Sequence, residues 1–362
     1  MSQLGIGFVG GGFMAEVHSR AARSTRARLV GIVSSSPARS TAAAQNLGID
    51  AAYDSVEQLL NDPAVDVVHI VTPNATHRDL ALAAIRAGKH VVCEKPLATS
   101  VTDAAELVAA AEQAGVVATV PFAYRFHPMV REARARLASG EPGRLLSIQG
   151  VYLQDWLLDK SDDNWRVDPG QGGPSRAFAD IGSHLCDLIE FVTDDRIARV
   201  QALSRTVHPE RASTKDVTTE DLVAAMFETA GGAVGTLLVS QVAPGRKNRL
   251  HFELSGSRES VVFDQENPET LWLGRRAGFE VITRGDNLSP DAARLSILPS
   301  GHPLGFQDAF NAFVADSYAA ITGDAPDGLP TFDDGLRAVR ITNAVIESAQ
   351  SGSWVDTMGI RV

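Results

Sequence analysis

The stretch Gly7–His18, "GFVGGGFMAEVH", carries an apolar, strand-like run into a helical pattern through three consecutive glycines. Gly10, Gly12 and Ala15 stand in a G-x-G-x-x-A arrangement. Glycine at its first two positions permits a tight turn and lets the backbone approach a pyrophosphate, which then rests on the amino terminus of the next helix. A strand before the glycines and a helix after them are the context that separates a dinucleotide-binding turn from a merely tight one. Gly10, Gly12, Phe13 and Met14 are therefore candidate cofactor contacts.

Outward from this turn, short apolar runs alternate with helical periodicity. "LGIGFV" is followed by a helix to about Arg23, "RLVGIV", a helix from about Pro37 to Leu47, "VDVVHIVT" and a helix through "THRDLALAAIRAG". "HVVC", a helix through "SVTDAAELVAAAEQAG", and "VVATV" complete the series. Such alternation predicts an α/β fold: a doubly wound, parallel, Rossmann-type sheet over residues 1–123.

Beyond about Phe126 the texture changes. One helix runs through "HPMVREARARLASG", and then extended segments dominate: "RLLSIQGVYLQ", "IARVQALSRTV", "EDLVAAMFET", "GAVGTLLVSQV", "RLHFELSG" and "ESVVFD". Several alternate apolar with polar residues, as a large, mostly antiparallel open sheet with one covered face requires. Residues 124–362 are expected to form this second, α+β domain, for substrate binding and oligomerisation. Helices near 179–193, 306–322 and 333–350 would supply the cover, and the carboxyl-terminal ones can pack back toward the first domain. An apolar sheet face left uncovered predicts a homodimer or homotetramer built through it.

Composition narrows the function classes. A length of 362 residues suits two domains, and 44% hydrophobic with 21% charged residues is ordinary globular usage. A net charge of −11 without a basic stripe argues against nucleic acid as a partner. No apolar run reaches bilayer length, and the chain enters a strand within a few residues of Met1 without a basic leader, so the expectation is a cytoplasmic protein with no membrane partner. Cys93 and Cys186 lie far apart in apolar segments and are read as inert core thiols, which leaves neither a disulfide framework nor a zinc cluster.

The second strand ends in "VSSSPARS", where an NAD-preferring site would carry an acid for the ribose hydroxyls. Ser34, Ser35, Ser36 and Arg39 instead offer small donors and a fixed positive charge suited to a 2′-phosphate, so NADP is favoured over NAD. The competing reading is a plain helix start, with a serine as cap before Pro37 and Arg39 in solvent.

Two further stretches carry chemistry. In "AGKHVVCEKP" (Ala87–Pro96) the chain leaves a buried parallel strand at its carboxyl end, over the crevice where α/β proteins bind ligands. Lys95 is thereby placed for chemistry; the alternative is a solvated lysine paired with Glu94. In "FADIGSHLCDL", Asp180 and His184 are four apart and share a face if the segment is helical. A histidine beside a carboxylate can take the proton of a hydroxyl as hydride leaves the same carbon. The alternatives are a capping Asp180 with a satisfied buried His184, or a metal pair that lacks further ligands at convincing spacing, so no metal is expected.

"FAYRFHP" and "YLQDWLLDKSDDNWR" should face the same crevice. Their Tyr124, Arg125, Gln154, Asp155, Trp156, Trp165 and Arg166 combine hydrogen-bonding groups with flat apolar faces, as sugar recognition needs; core or subunit-interface residues are the alternative reading.

Taken together, "GFVGGGFMAEVHS", "TPNATHRDLALAAIRAGKHVVCEKPLA", "FADIGSHLCDL" and "TFDDGLRAVRITNAVIESAQSGSWV" resemble the Gfo/Idh/MocA oxidoreductases over essentially the whole chain. "AGKHVVCEKPLA" is the most specific of these matches. The resemblance implies a catalytic set of Lys95, Asp180 and His184, and places Thr72, Pro73, Asn74, His77, Glu94 and Lys95 at the cofactor. It implies an NAD(P)-dependent oxidoreductase acting on a secondary hydroxyl or ketone of a sugar, anhydrosugar or cyclitol. The "YLQDW" and "WR" elements are similar to those of the family's pyranoside dehydrogenases. Two rivals remain open at this point: a glycosidase that uses bound NAD as a transient oxidant, and a non-catalytic dinucleotide-sensing regulatory protein.

Overall fold

A computed structural model describes residues 3–359. They divide into two compact units: residues up to Ala123 together with Phe306–Arg337, and Tyr124–Gly305 together with the residues from Ala338 onward. The segment Phe306–Arg337, placed by sequence reading in the second domain, thus belongs to the first unit.

The first unit is built on six parallel strands: β1 (Gly5–Val9), β2 (Arg28–Val33), β3 (Ala51–Ala52), β4 (Val67–Ile70), β5 (His90–Cys93) and β6 (Ala118–Thr119). Their spatial order is β3-β2-β1-β4-β5-β6, so the order reverses between β1 and β4. Ligands of doubly wound folds bind over the carboxyl ends of the strands at that reversal. The strands are nearly continuous runs of buried residues because helices cover both faces. Helix α1 (Phe13–Ser24) follows β1, α2 (Pro37–Leu47) follows β2, α3 (Val56–Asn61) follows β3, α4 (His77–Arg86) follows β4 and α5 (Val101–Ala114) follows β5. Ser36, Ser55 and Ser100 cap α2, α3 and α5 through their hydroxyls, and Gly48 and Gly115 close α2 and α5 in the left-handed conformation. The helix Phe306–Ile321 packs on α1, with Gln307 donating to the Val17 carbonyl at 3.2 Å and Phe310 against His18 at a ring separation of 4.7 Å.

The second unit carries a nine-stranded sheet: β7 (Leu145–Leu153), β8 (Ile197–Arg205), β9 (Leu222–Thr229), β10 (Val234–Ser240), β11 (Arg249–Gly256), β12 (Ser260–Asp264), β13 (Thr270–Arg275), β14 (Gly278–Thr283) and β15 (Val355–Asp356). The order is β14-β13-β12-β11-β7-β10-β9-β8-β15, antiparallel except where β7 and β10 run parallel. Burial alternates along β9 and β10, so one face is core and the other is exposed. Helix α6 (Pro128–Ala138) and a helix over Ser183–Thr193 supply cover. The latter comes so close that a Cβ at Gly150 of β7 would sit 3.2 Å from both Leu185 and Ile189.

The uncovered face sets Leu203 beside Ala224, and Ala224 beside Leu238, in one cross-strand row, with Met226 in the next. Leu203 is 61% exposed and Met226 49%. Among the described residues no helix is long and apolar enough to cross a membrane.

Candidate active site

In the first unit the dinucleotide turn is shaped by crowding on one side and openness on the other. Gly10 has φ +108°, and a Cβ there would lie 2.6 Å from the Val71 carbonyl oxygen just beyond β4, so only glycine fits. Gly12 precedes α1 without a side-chain cap, and a Cβ built on it would meet nothing within 4 Å. The first amides of α1 therefore keep their capacity for an anion, reinforced by the helix dipole, and exposed Phe13 with half-buried Met14 flanks them. These residues fit the pyrophosphate of a dinucleotide.

At the end of β2, Ser36 accepts the Arg39 amide at 3.3 Å and is committed as the cap of α2. Ser34 lies beside Gly11 and donates its backbone N–H to Ser40 Oγ, while the exposed Arg39 guanidinium donates to Ser35 Oγ at 3.0 Å. Arg39, Ser34 and Ser35 are the polar members of "SSSPAR" whose side chains do not cap α2.

Past β4, Asn74 opens a short 3₁₀ turn after Thr72 and Pro73. His77 is fully buried, with Nδ1 2.8 Å from the Pro96 carbonyl and Nε2 2.9 Å from the Thr72 carbonyl. Both ring nitrogens are engaged by backbone, so His77 braces the ends of β4 and β5 against each other. Burial, the largest influence, lowers its pKa, while the two carbonyls pull the other way. Glu94 also turns inward: it is 7% exposed, meets His18 Nε2 at 3.1 Å, and accepts the Lys95 amide at 3.1 Å. Lys95 itself is half-buried.

In the second unit Asp180 sits in a single π turn, Phe178–Gly182, that runs directly into the helix Ser183–Thr193 bearing His184. Such turns recur at functional sites because they re-aim side chains. Glu220 creates this one: its carboxylate accepts Ser175 Oγ at 2.7 Å, the Arg176 amide at 3.1 Å and the Phe178 amide at 2.9 Å. Asp180 accepts Gln241 Nε2 at 2.8 Å and faces Arg166 Nε at 3.4 Å. Arg166 in turn stacks over Trp165 at 4.3 Å.

His184, 8% exposed, meets the Tyr124 ring edge-on at 5.2 Å. The Tyr124, Tyr152 and Asn248 side chains close a ring of hydrogen bonds: Tyr124 Oη to Tyr152 Oη at 2.6 Å, Tyr152 Oη to Asn248 Oδ1 at 2.8 Å, and Asn248 Nδ2 to Tyr124 Oη at 2.9 Å. Gln154 donates to the same Asn248 oxygen, and Trp156 Nε1 donates to Gln154. Burial raises the pKa of both phenols, and the Asp180 charge acts in the same direction on each, so they stay protonated. The set is a buried histidine with a carboxylate and two neutral phenols, able to move a proton at a hydroxyl and to hold polar groups around it.

Two of the expected pocket residues serve the framework instead. Arg125 is buried in an ion pair with Asp187, Nε to Oδ2 at 2.8 Å, because a planar guanidinium beside a helix carboxylate satisfies both groups away from water. Asp155 accepts Lys247 Nζ at 2.7 Å and the Gly245 amide at 3.0 Å; the lysine, first, holds its carboxyl below the usual range. Conversely, Tyr152, Asn248, Gln241 and Glu220 were not singled out from sequence. Tyr152 had a signal: on a strand it shares a face with Gln154.

Cys93 and Cys186 are buried, and burial pushes the Cys93 thiol well up. Among the described residues no group of three or more His, Cys, Asp or Glu side chains could hold a metal ion.

The GFO_IDH_MocA family, described as an oxidoreductase family with an NAD-binding Rossmann fold, matches residues 4–122, and its C-terminal domain matches 130–262. Levoglucosan dehydrogenase of Pseudarthrobacter phenanthrenivorans is 31% identical over 98% of both chains. The chain belongs to the Gfo/Idh/MocA oxidoreductase family. Its members similar to this chain also include scyllo-inositol 2-dehydrogenase (NAD(+)) of Bacillus subtilis, 28% identical over 71% of this chain and 72% of the relative. Among solved structures, levoglucosan dehydrogenase with NADH and L-sorbose superposes at a TM-score of 0.93, with 31% identity over 99% of this chain and 100% of that one. An oxidoreductase domain protein from Kribbella flavida gives 0.92 at 34% identity over the same shares. This is an oxidoreductase of dehydrogenase and reductase relatives, with a dinucleotide-binding first unit.

Histidines that are wholly or half buried predict an acid-sensitive fold. The pKa is lowered chiefly by burial for His69, His77, His90 and His251. A lowered folded-state pKa means that the unfolded chain binds more protons once pH falls below the ordinary histidine value of about 6.5, so stability declines from there downward. We expect melting temperature to be level from pH 8 to 7 and to fall by several degrees toward pH 5. A flat or rising profile between pH 7 and 5 would contradict the burial argument.

Proposed function

We propose that the protein is an NAD(P)-dependent dehydrogenase that interconverts a secondary hydroxyl and a ketone on a sugar, anhydrosugar or cyclitol, with Lys95, Asp180 and His184 as the catalytic set. The observation that carries this reading is the second unit's constellation, in which His184, Asp180 and two neutral phenols stand among further hydrogen-bonding groups. Support for the substrate class comes from the relatives' own names, among them 1,5-anhydro-D-fructose reductase and glucose-6-phosphate 3-dehydrogenase.

A nicotinamide dinucleotide supplies the hydride chemistry when bound. His184 takes the hydroxyl proton during oxidation and returns it during reduction. Asp180 stabilises the resulting imidazolium and, held by Gln241, keeps a fixed orientation. Lys95 holds the substrate oxygen and stabilises charge as it develops there. Tyr124, Gln154, Trp156, Trp165 and Arg166 present hydrogen-bonding groups and flat surfaces to a polyhydroxylated ring. Homo-oligomerisation, as a dimer or tetramer, buries the sheet face that carries Leu203, Met226 and Leu238.

Nicotinamide absorbance with a panel of levoglucosan, free hexoses, 1,5-anhydro sugars and inositols tests the activity, and at least one member should reduce the coenzyme. Release of aglycone from aryl glycosides without net coenzyme reduction would favour a glycosidase instead; dinucleotide binding without any turnover would favour a sensor. For coenzyme choice, the Arg39 contact with a 2′-phosphate should contribute about 1.5–3 kcal/mol, roughly tenfold or more, toward NADP. Titration of protein stripped of cofactor should show that preference, and Ser34→Asp with Arg39→Ala should reverse it. Tighter NAD binding by the unaltered protein would reduce "SSSPAR" to a helix start. Light scattering at micromolar concentration should give a dimer or tetramer, and a monomer would refute assembly through the sheet.

A further inference from the structure

The first unit contains a line of buried titratable side chains that the proposed reaction does not use. Tyr318 Oη lies 2.8 Å from His69 Nε2, His69 Nδ1 lies 2.8 Å from His18 Nδ1, and His18 Nε2 lies 3.1 Å from Glu94 Oε1. Both histidines are 0% exposed, Tyr318 is 5% and Glu94 7%. They come from four elements: the helix Phe306–Ile321, β4, α1 and the turn after β5. Tyr318 lines a surface cleft of about 590 Å³ with Thr25, Arg26 and Ala319, whereas Glu94 Oε2 accepts the backbone N–H of Lys95 at 3.1 Å.

With both rings neutral, the carboxylate at one end fixes where every proton sits. Two Nδ1 atoms at 2.8 Å bond only if one of them, and not both, carries hydrogen. A carboxylate accepts and does not donate, so His18 carries its proton on Nε2. In a neutral ring its Nδ1 is then a lone pair, which makes His69 the donor through Nδ1–H. His69 Nε2 is left as the acceptor for the Tyr318 hydroxyl. With both rings neutral, all four groups are satisfied and every hydrogen points toward Glu94. Burial first, and His18 second, hold the His69 pKa well below its ordinary value, in keeping with a neutral ring. A buried network of this kind is stable only when every member is satisfied.

We propose that Tyr318, His69 and His18 are positioning residues: by their one-way donor chain they fix the Glu94 carboxylate against the Lys95 amide, and so set the direction in which Lys95 is presented for reaction. The proposal rests on the catalytic reading of Lys95. A carboxylate that loses its His18 contact can shift relative to the Lys95 backbone N–H, and a small error in the aim of a charge-stabilising group costs rate rather than binding.

The test has a spectroscopic arm and a kinetic arm. Long-range proton–nitrogen spectra of protein labelled with ¹⁵N in its histidines, assigned with His18→Gln and His69→Asn, should show His69 as the neutral Nδ1–H tautomer and His18 as the neutral Nε2–H tautomer at pH 7. A cationic His18, or His69 protonated on Nε2, would overturn the chain. In the kinetic arm, Gln at position 18 can still donate to Glu94 from about the place of Nε2, and Leu cannot. His18→Leu should lower kcat by about tenfold or more with little change in coenzyme KM, and His18→Gln should recover most of it. Equal kcat in the two variants, with both folded by circular dichroism, would overturn the positioning role. Full turnover in Lys95→Ala would instead sink the catalytic reading beneath the proposal, and the tautomer pattern reports the chain independently of that result.

Discussion

Two adjacent carboxylates just before β9 hold the candidate site of the second unit in place. Glu220 faces the amides that open the π turn and thereby sets the path of Asp180 and His184. Asp221, fully buried, is shared by Arg176 and by Arg211, the latter at 2.6 Å, and also accepts the Val207 amide at 2.6 Å. Burial pushes the Asp221 carboxyl up, and Arg176 with the His208 and Val207 backbone amides more than offsets it, so the group stays ionised. Arg211 also donates to the carbonyls of Leu157, Asp159 and Asp162, which pins the loop leading to Trp165 and Arg166. A buried ion set adds little net stability compared with apolar packing, but a missing member leaves charge unpaired in the core. Its contribution is geometric: one pair of neighbouring side chains positions both the π turn that carries Asp180 and the loop leading to Trp165.

The first unit solves a related problem by different means. Parallel strands end together at the crevice, so the loops that leave them must be braced without a sheet partner. His77 does this between the ends of β4 and β5, and Glu94 does it from behind Lys95. The nucleotide turn needs the opposite property, and gets it from glycines that keep the start of α1 open.

Much of this was legible in the sequence, for identifiable reasons. The parallel unit declared itself because buried strands and capped helices alternate in strict local patterns, as at Ser36–Pro37 and Ser100. The strand pairing of β7 with β10 was not legible, since parallel neighbours far apart in sequence are chosen by packing. β13 and β14 were missed as well: β14 is an edge strand with almost every residue exposed, which removes the period-two signal. At the candidate site, Asp180 and His184 were singled out by their spacing, and Tyr124 as an aromatic with a hydrogen-bonding group. The π turn was not, because Glu220 acts on it from 42 residues away. Arg125 illustrates the converse. Its type and neighbourhood suggest a ligand contact, but Asp187 on the facing helix claims it.

The central proposal is that turnover requires both Lys95 and His184. Steady-state turnover of Lys95→Ala and His184→Ala, each beside a direct measurement of dinucleotide binding, addresses it most plainly. The account predicts that each variant loses about a hundredfold or more in kcat while dinucleotide affinity stays near that of the unaltered protein. Retention of full turnover by either variant would contradict it.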